Sequence, residues 1–213
     1  MLLIQYEGNY MNKTQALPRM LLATLLICNV AASFALEATA TNNNKQQQTI
    51  TIAHLSKDDD LKEVEQLFIR TFKDAYKDIP LDVLKIENLD AFLKAAFEDE
   101  PEELKKPNVF CTIAKNANSI VGVISFEPTE QQNEVYIRQL AIDPAIQKQG
   151  IGSTLVASIT KQLPATTRII VATRRVNKPA WKFYEKLGFQ VCEQVPHELN
   201  PERYVGFEKE LKN

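Results

Sequence analysis

At 213 residues, with 45% hydrophobic and 24% charged side chains and a formal charge of −2, the chain is long enough for one domain with a sizeable core, and its composition is that of an ordinary globular protein. The small net charge excludes bulk attraction to nucleic acid or to an acidic membrane. His54 and His197 lie far apart and away from the cysteines, so no metal site is expected.

The first 40 residues differ from the rest. Lys13 and Arg19 precede the apolar run MLLATLLICNVAASFAL at 20–36. Ser33-Phe34-Ala35 and Ala38-Thr39-Ala40 are both small-x-small sites. A basic start, an apolar run and small residues in that order form the pattern of an export signal. Met11 is an alternative start, since 1–10 add nothing that such a signal needs. The division is then a targeting segment at 1–40, a polar low-complexity linker at 41–48 (TNNNKQQQ), and a folded domain at 49–213. Cleavage would make the protein exported or secreted. The alternatives are an uncleaved anchor that faces the cytosol, or a cytoplasmic chain with an apolar tail. The run is short for a membrane helix, and no stable membrane insertion of the mature domain is expected.

Within the domain, 49–54 alternates as a strand does. Ser56 is positioned to cap a helix whose first turn holds Asp58, Asp59 and Asp60. Leu61, Val64, Phe68, Phe72 and Tyr76 form its apolar stripe, and Pro80 ends it. A second helical stretch covers 81–97. The acids at 98–103, around Pro101, read as a solvated face. Strands at 109–115 and 120–126 flank a turn at 116–119. Val135, Ile137, Leu140 and Ile142 mark a buried strand that Asp143-Pro144 terminates. Gln147, Gly150 and Gly152 follow in a Q-x-x-G-x-G order. Ile151, Leu155, Ile159 and Leu163 then recur every fourth residue, with Val156 beside them, so a helix starts at the glycines. An apolar strand at 168–173 completes a crossover. Asn177 caps a last helix, Trp181, Tyr184 and Leu187 share one face of it, and Gly188 closes it. A closing antiparallel pair occupies 188–194 and 204–211.

A strand, a glycine turn and a helix N-terminus gather free N–H groups in one place, which attracts phosphate. Packing alone would also account for the turn. Leu155 stands where a dinucleotide fingerprint needs its third glycine, and Gly152-Ser153 lacks the lysine of a Walker loop, so neither of those sites fits.

The stretch from Leu140 to Gly152, L-x-I-D-P followed by Q-x-x-G-x-G, resembles motif A of the GNAT acyl-CoA N-acyltransferases. The stretch 177–189, NKPAWKFYEKLGF, resembles a second motif of that family, N-x-x-A-x-x-x-Y-x-x-x-G-F. The resemblance covers roughly residues 50–211. It implies an α/β fold in a single GNAT-type domain, with a mixed, mostly antiparallel central sheet of about seven strands flanked by about four helices. It also implies acetyl-CoA as the acyl-donor cosubstrate, with no metal. Gln147, Lys148, Gln149, Gly150, Ile151, Gly152 and Ser153 would cradle the pyrophosphate, while backbone groups of Leu140, Ala141 and Ile142 would pair with pantetheine. Asn177, besides capping, would contact pantetheine. Tyr184 would protonate the departing thiolate, the plain alternative being a core aromatic. Some members carry a glutamate on the strand before the second motif, where this chain has Ala172. Strict alternation puts Glu134 on the same face as Leu140, which makes it the candidate base, the alternative being an exposed strand-end carboxylate. Cys111 and Cys192 would fall in opposite halves of the sheet and are not expected to pair. The implied reaction is N-acetylation of a primary amine on a small molecule or protein. The alternative is a CoA-binding regulatory or interaction domain without turnover.

Overall fold

Apolar stripes on helices and strands alike drive a three-layer arrangement, with helices on both faces of one sheet. The computed structural model describes residues 36–38, 49–56, 60–196 and 199–211. Most of the targeting segment, the linker, Asp58, Asp59 and His197 therefore lie outside the described residues. The strands are β1 (Leu36–Ala38), β2 (Ile50–His54), β3 (Phe110–Asn116), β4 (Ser119–Pro128), β5 (Glu134–Ile142), β6 (Arg168–Arg174), β7 (Gln190–Cys192) and β8 (Tyr204–Glu210). Their order in the sheet is β1-β2-β3-β4-β5-β6-β8-β7. Seven of them, β2 to β8, fall in the predicted domain, and the short β1 pairs on the edge beside β2. Every pairing is antiparallel except β5 with β6.

The helices are α1 (Leu61–Tyr76), α2 (Leu81–Leu84), α3 (Leu89–Phe97), α4 (Glu100–Glu103), α5 (Ile151–Gln162) and α6 (Lys178–Lys186). Val64, Leu67, Phe68, Leu93 and Phe97 of α1 and α3 form one core with Ile113, Val123 and Ala141. Leu155 and Ile159 of α5, with Tyr184 of α6, form the other core with Val135, Ile137, Val171 and Phe207. The sheet is thus covered on both faces. Cys111 and Cys192 lie on β3 and β7, far apart in the strand order, and form no disulfide with each other.

Three local expectations change. The α1 cap is Asp60, whose carboxylate accepts from the N–H groups of Lys62 (2.8 Å) and Glu63 (3.3 Å). The helix therefore starts later than a Ser56 cap would allow. The stretch 81–97 is two helices, because Lys85 turns left-handed at φ 55° and Asn88 caps α3 afresh through its bond from Ala91 N–H. The acids at 100–103 form the short α4. Glu102 is on the surface, but Glu100 is buried and Glu103 pairs with Arg138.

One feature of the sheet positions the site. Ser125 pairs with Gln139 and Phe126 with Ile137, so Arg138 is an extra residue in β5. Such a bulge bends and twists its strand. Arg138 is held there by Glu127 (2.9 Å) and Glu103 (2.8 Å). The parallel register runs only from Glu134↔Arg168 to Ile137↔Val171 and stops where the bulge begins, although both strands continue.

Glu100, beside this network, has one carboxylate oxygen buried without a hydrogen-bond partner. Burial pushes its pKa up to about 7, against the opposing pull of Arg138. The folded state thus favours protonated Glu100, a contribution that is complete below the ordinary glutamate range and is lost as pH rises to about 7. Urea denaturation of Glu100→Gln should show a stability gain over wild type on the order of 3 kcal/mol at pH 8, at about 1.4 kcal/mol per pH unit. The gain should vanish near pH 4.5. A difference that does not change with pH would mean that Glu100 is charged in the fold.

Candidate functional site

Between the diverging ends of β5 and β6 lies a cleft of about 1540 Å³. Its lining joins both sides of the sheet. Thr71, Phe72, Tyr76 and Phe92 come from the α1–α3 layer, and Gly150, Gly152, Ala180 and Phe183 come from the α5–α6 layer.

The β5 wall follows from strand geometry. Asp143 N–H donates to the Val121 carbonyl at 2.9 Å, as the antiparallel ladder with β4 continues past Ile142. Because bonding alternates along such a ladder, the backbone groups of Leu140 and Ile142 point away from β4, toward the gap that β6 has left. The Ile142 carbonyl there accepts from Thr71 Oγ1 (3.3 Å) and Gln147 Nε2 (3.1 Å). Gln147 thereby ties the glycine turn back to the strand end. Asp143 braces the same corner: it accepts from Ala145 N–H (3.0 Å) and pairs with Arg70 of α1 (2.9 Å).

At the turn, Lys148 and Gly150 both have positive φ, 64° and 86°. Gly150 is the α5 N-cap, and no side chain caps the helix. The first intrahelical bond is Thr154 N–H to the Gly150 carbonyl, so the N–H groups of Ile151, Gly152 and Ser153 are available to a ligand. Lys148, Lys182 and Lys186 also line the cleft and add positive charge to that of the helix end. This donor set suits a diphosphate. Gly152 lies against α6: a Cβ there would sit 3.1 Å from the Phe183 ring.

Tyr184 is buried, with ring centroids of Phe183, Phe189 and Phe207 at 5.2, 5.4 and 5.8 Å, yet it also lines the cleft. Burial, with the nearby Tyr136 hydroxyl adding to it, holds its pKa far above the usual phenol value. It stays protonated at neutral pH, as an ordinary phenol also does. Asn177 caps α6 through its bond from Ala180 N–H (3.3 Å) and lines the same cleft.

The structure brings together Leu140, Ile142, Gln147, Lys148, Gly150, Ile151, Gly152, Ser153, Asn177 and Tyr184. Ala141 faces the α1–α3 core, and Gln149 is exposed outside the cleft lining. Glu134 is a correction. The Arg138 bulge reverses the alternation, so Ile137 and Leu140 share the α5 face and Glu134 does not lie on it. Glu134 is 3% exposed at the closed end of the parallel pair. It accepts from Arg168 (2.6 Å) and Thr129 (2.8 Å), outside the cleft lining. Its place is that of a structural ion pair. Sequence reasoning missed Tyr136, Arg174 and the α1–α3 wall, for which only the helical stripe through Phe72 and Tyr76 gave a signal.

A sequence model of the acetyltransferase (GNAT) family matches residues 61–189. Among curated proteins, N-acetylaspartate synthetase of Xenopus tropicalis is 26% identical over 119 residues, which are 54% of this chain and 44% of that protein. L-2,4-diaminobutyric acid acetyltransferase of Vibrio cholerae serotype O1 is 28% identical over 87 residues, 39% of this chain and 50% of that protein. The chain spans about half the length of the curated relatives it matches. Among solved structures, the PaiA N-acetyltransferase from Thermoplasma acidophilum in complex with coenzyme A aligns with a TM-score of 0.62 at 18% identity, over 76% of this chain and 99% of that one. Aminoglycoside 6′-acetyltransferase type Ii aligns at 0.55 and 19%, over 75% and 96%. Both are likenesses of fold.

Replacing Gly152 tests the turn. Gly152→Glu puts bulk against Phe183 and a negative charge among the free N–H groups. Calorimetric titration with acetyl-CoA should show at least a tenfold loss of affinity, with a circular dichroism spectrum close to wild type. Unchanged affinity in the folded variant would move the cofactor elsewhere.

Proposed function

The chain belongs to the acetyltransferase (GNAT) family, and we propose that its domain transfers an acetyl group from acetyl-CoA to the primary amine of an acceptor by direct attack. The observation that carries this reading is the unpaired β5 edge at Leu140, which lines one cleft with the uncapped start of α5 and with Tyr184. The α5 N–H groups and the lysine rim bind the diphosphate. The Leu140 edge holds the pantetheine arm as an added strand would be held, and a backbone N–H there polarises the thioester carbonyl. The amine nitrogen forms a bond to the acyl carbon as the C–S bond breaks. Tyr184 gives its proton to the departing sulfur, and the proton lost by the amine passes to water. With Ala172 on β6 and Glu134 held by Arg168, no carboxylate from those positions takes part.

Acceptors fall among small-molecule or protein amines. The curated relatives bear names that put an amino acid in the product, so amino acids come first in an assay panel. Acetyl-CoA turnover with that panel, followed by thiol release, tests the activity. Tight acetyl-CoA binding with no thiol release over the panel would point instead to a CoA-binding regulator.

Tyr184→Phe keeps the ring and its packing and removes only the hydroxyl. Its kcat should fall at least tenfold, within the ~10²–10⁴ range typical of general acid catalysis, with acetyl-CoA affinity nearly unchanged. In wild type, turnover should rise with pH as the acceptor amine deprotonates. No falling limb from Tyr184 should appear below about pH 10, the ordinary phenol value, because its own pKa is raised. A variant kcat within twofold of wild type would return Tyr184 to a purely structural role.

The address of the protein is a second proposal, from the residue order at 1–40. Among the described residues no helix is long and apolar enough to cross a membrane. Export of an enzyme that uses cytosolic acetyl-CoA requires delivery to another cell's cytosol. An uncleaved, cytosol-facing anchor meets the same need. N-terminal sequencing of the fractionated protein should find a start after Ala35 or Ala40, or an intact membrane-bound form. A soluble, intact Met1 or Met11 form in the cytosol would refute the signal.

A further inference from the structure

Arg174 ends β6 in the wall of the cleft and is only 5% exposed. A guanidinium removed from water needs partners for its in-plane N–H groups and, as a rule, a carboxylate beside it. Arg70, Arg138 and Arg168 each hold a carboxylate of the chain. Arg174 has none among the described residues. Its Nη2 donates to the Leu84 carbonyl at 3.0 Å, which fixes one edge of the group to the end of α2. Its Nη1 is buried without a hydrogen-bond partner. Around it stand rings: Phe92 at 5.1 Å, Tyr76 at 5.8 Å and Tyr204 at 5.9 Å from the guanidinium carbon. Rings attract the cation through their faces, but they do not supply the in-plane acceptor that Nη1 lacks. The cleft therefore holds a buried positive charge that is fixed in place and one acceptor short.

Position indicates what the acceptor belongs to. The residues around Arg174 come largely from the α1–α3 layer, whereas the glycine turn and the lysine rim belong to α5 and α6, which cover the other face of the sheet. Those elements already provide for the anionic end of the cofactor. We propose that Arg174 is the carboxylate subsite for the acyl acceptor, and that the acceptor is a small amine carrying a carboxylate. The proposal rests on the acetyl-transfer reading and deepens it. One carboxylate oxygen would accept from Nη1, while the three rings exclude water and leave the amine free to reach toward β5. A site built around a buried donor discriminates strongly against a ligand without the matching group, because that ligand leaves the donor unpaired.

The test compares amino acids, 2,4-diaminobutyrate included, with their carboxamides and with simple alkylamines, in acetyl-CoA-dependent thiol release by the full chain. For accepted substrates, kcat/KM for the acid should exceed that for its amide by about 10²-fold or more. Arg174→Gln should cut this preference to within about fivefold, and Arg174→Lys should restore only part of it, since an ammonium lacks the planar fork. Acetyl-CoA affinity should stay within about twofold of wild type. The comparison of acid with amide in wild type needs no variant, so misfolding of Arg174→Gln, checked by circular dichroism, does not remove the test. Efficient transfer to amides or alkylamines overturns the carboxylate subsite and leaves acetyl transfer standing. A large loss of acetyl-CoA affinity in a folded variant assigns Arg174 to the cofactor and overturns it too. If no thiol is released at all, calorimetric titration of the CoA-bound protein with the same acids and amides decides. Selective binding of acids that is lost in Arg174→Gln keeps the subsite and removes the turnover reading, whereas equal or absent binding overturns the proposal.

Discussion

The parallel pairing of β5 with β6 covers four residues of each strand and then ends, although both strands run on. Adjacent strands part when one of them bends, and the bend in β5 comes from the extra residue Arg138. An extended arginine side chain is a costly thing to hold in one conformation at a sheet surface. Here Glu103 and Glu127 each hold one end of its guanidinium, and the short helix α4 carries Glu103 to it. Buried Glu100 lies beside the same cation, but burial favours its protonated form, so the bulge rests on two acids that read as solvent-facing or unassigned in the sequence, Glu103 and Glu127.

Parting two central strands exposes backbone donors and acceptors in the middle of a sheet, a place where an open edge would invite another strand. The molecule confines that edge. The α1–α3 layer lines the cleft beside it on one side and the α5–α6 layer on the other. Lysines stand with the helix N-terminus at the glycine turn, and a single buried arginine stands on the opposite side. A net charge of −2 therefore coexists with a cleft lined by lysines beside the glycine turn and by the buried Arg174.

Tyr184 is placed by packing. Three phenylalanine rings fix its orientation, and the same burial raises its pKa and keeps the hydroxyl protonated. A more exposed phenol would be closer to its ordinary pKa but free to rotate. Phe183, its neighbour in sequence, closes on Gly152 and so couples the position of α6 to that of the glycine turn.

Much of this was legible in the sequence, and the legible parts have a common cause: they are set by neighbours in the chain. The strand at Glu134–Ile142, the helix from Ile151, the asparagine cap at Asn177 and the glycine stop at Gly188 follow from side-chain periodicity and from turn residues with few backbone choices. So does the pairing of a glycine turn with a helix N-terminus, both of which line one end of the cleft. What the sequence could not determine depends on contacts between distant segments. Strict alternation put Glu134 beside Leu140, and one bulge, held by acids 35 and 11 residues away from Arg138, reversed it. Arg174 looks like any basic residue at a strand end. Only the arrival of α1, α2, α3 and β8 around it removes the water and leaves Nη1 without a partner. Local propensity determined the elements, but the solvation of a charge and the face of a strand are properties of the whole packing and were decided by the tertiary structure.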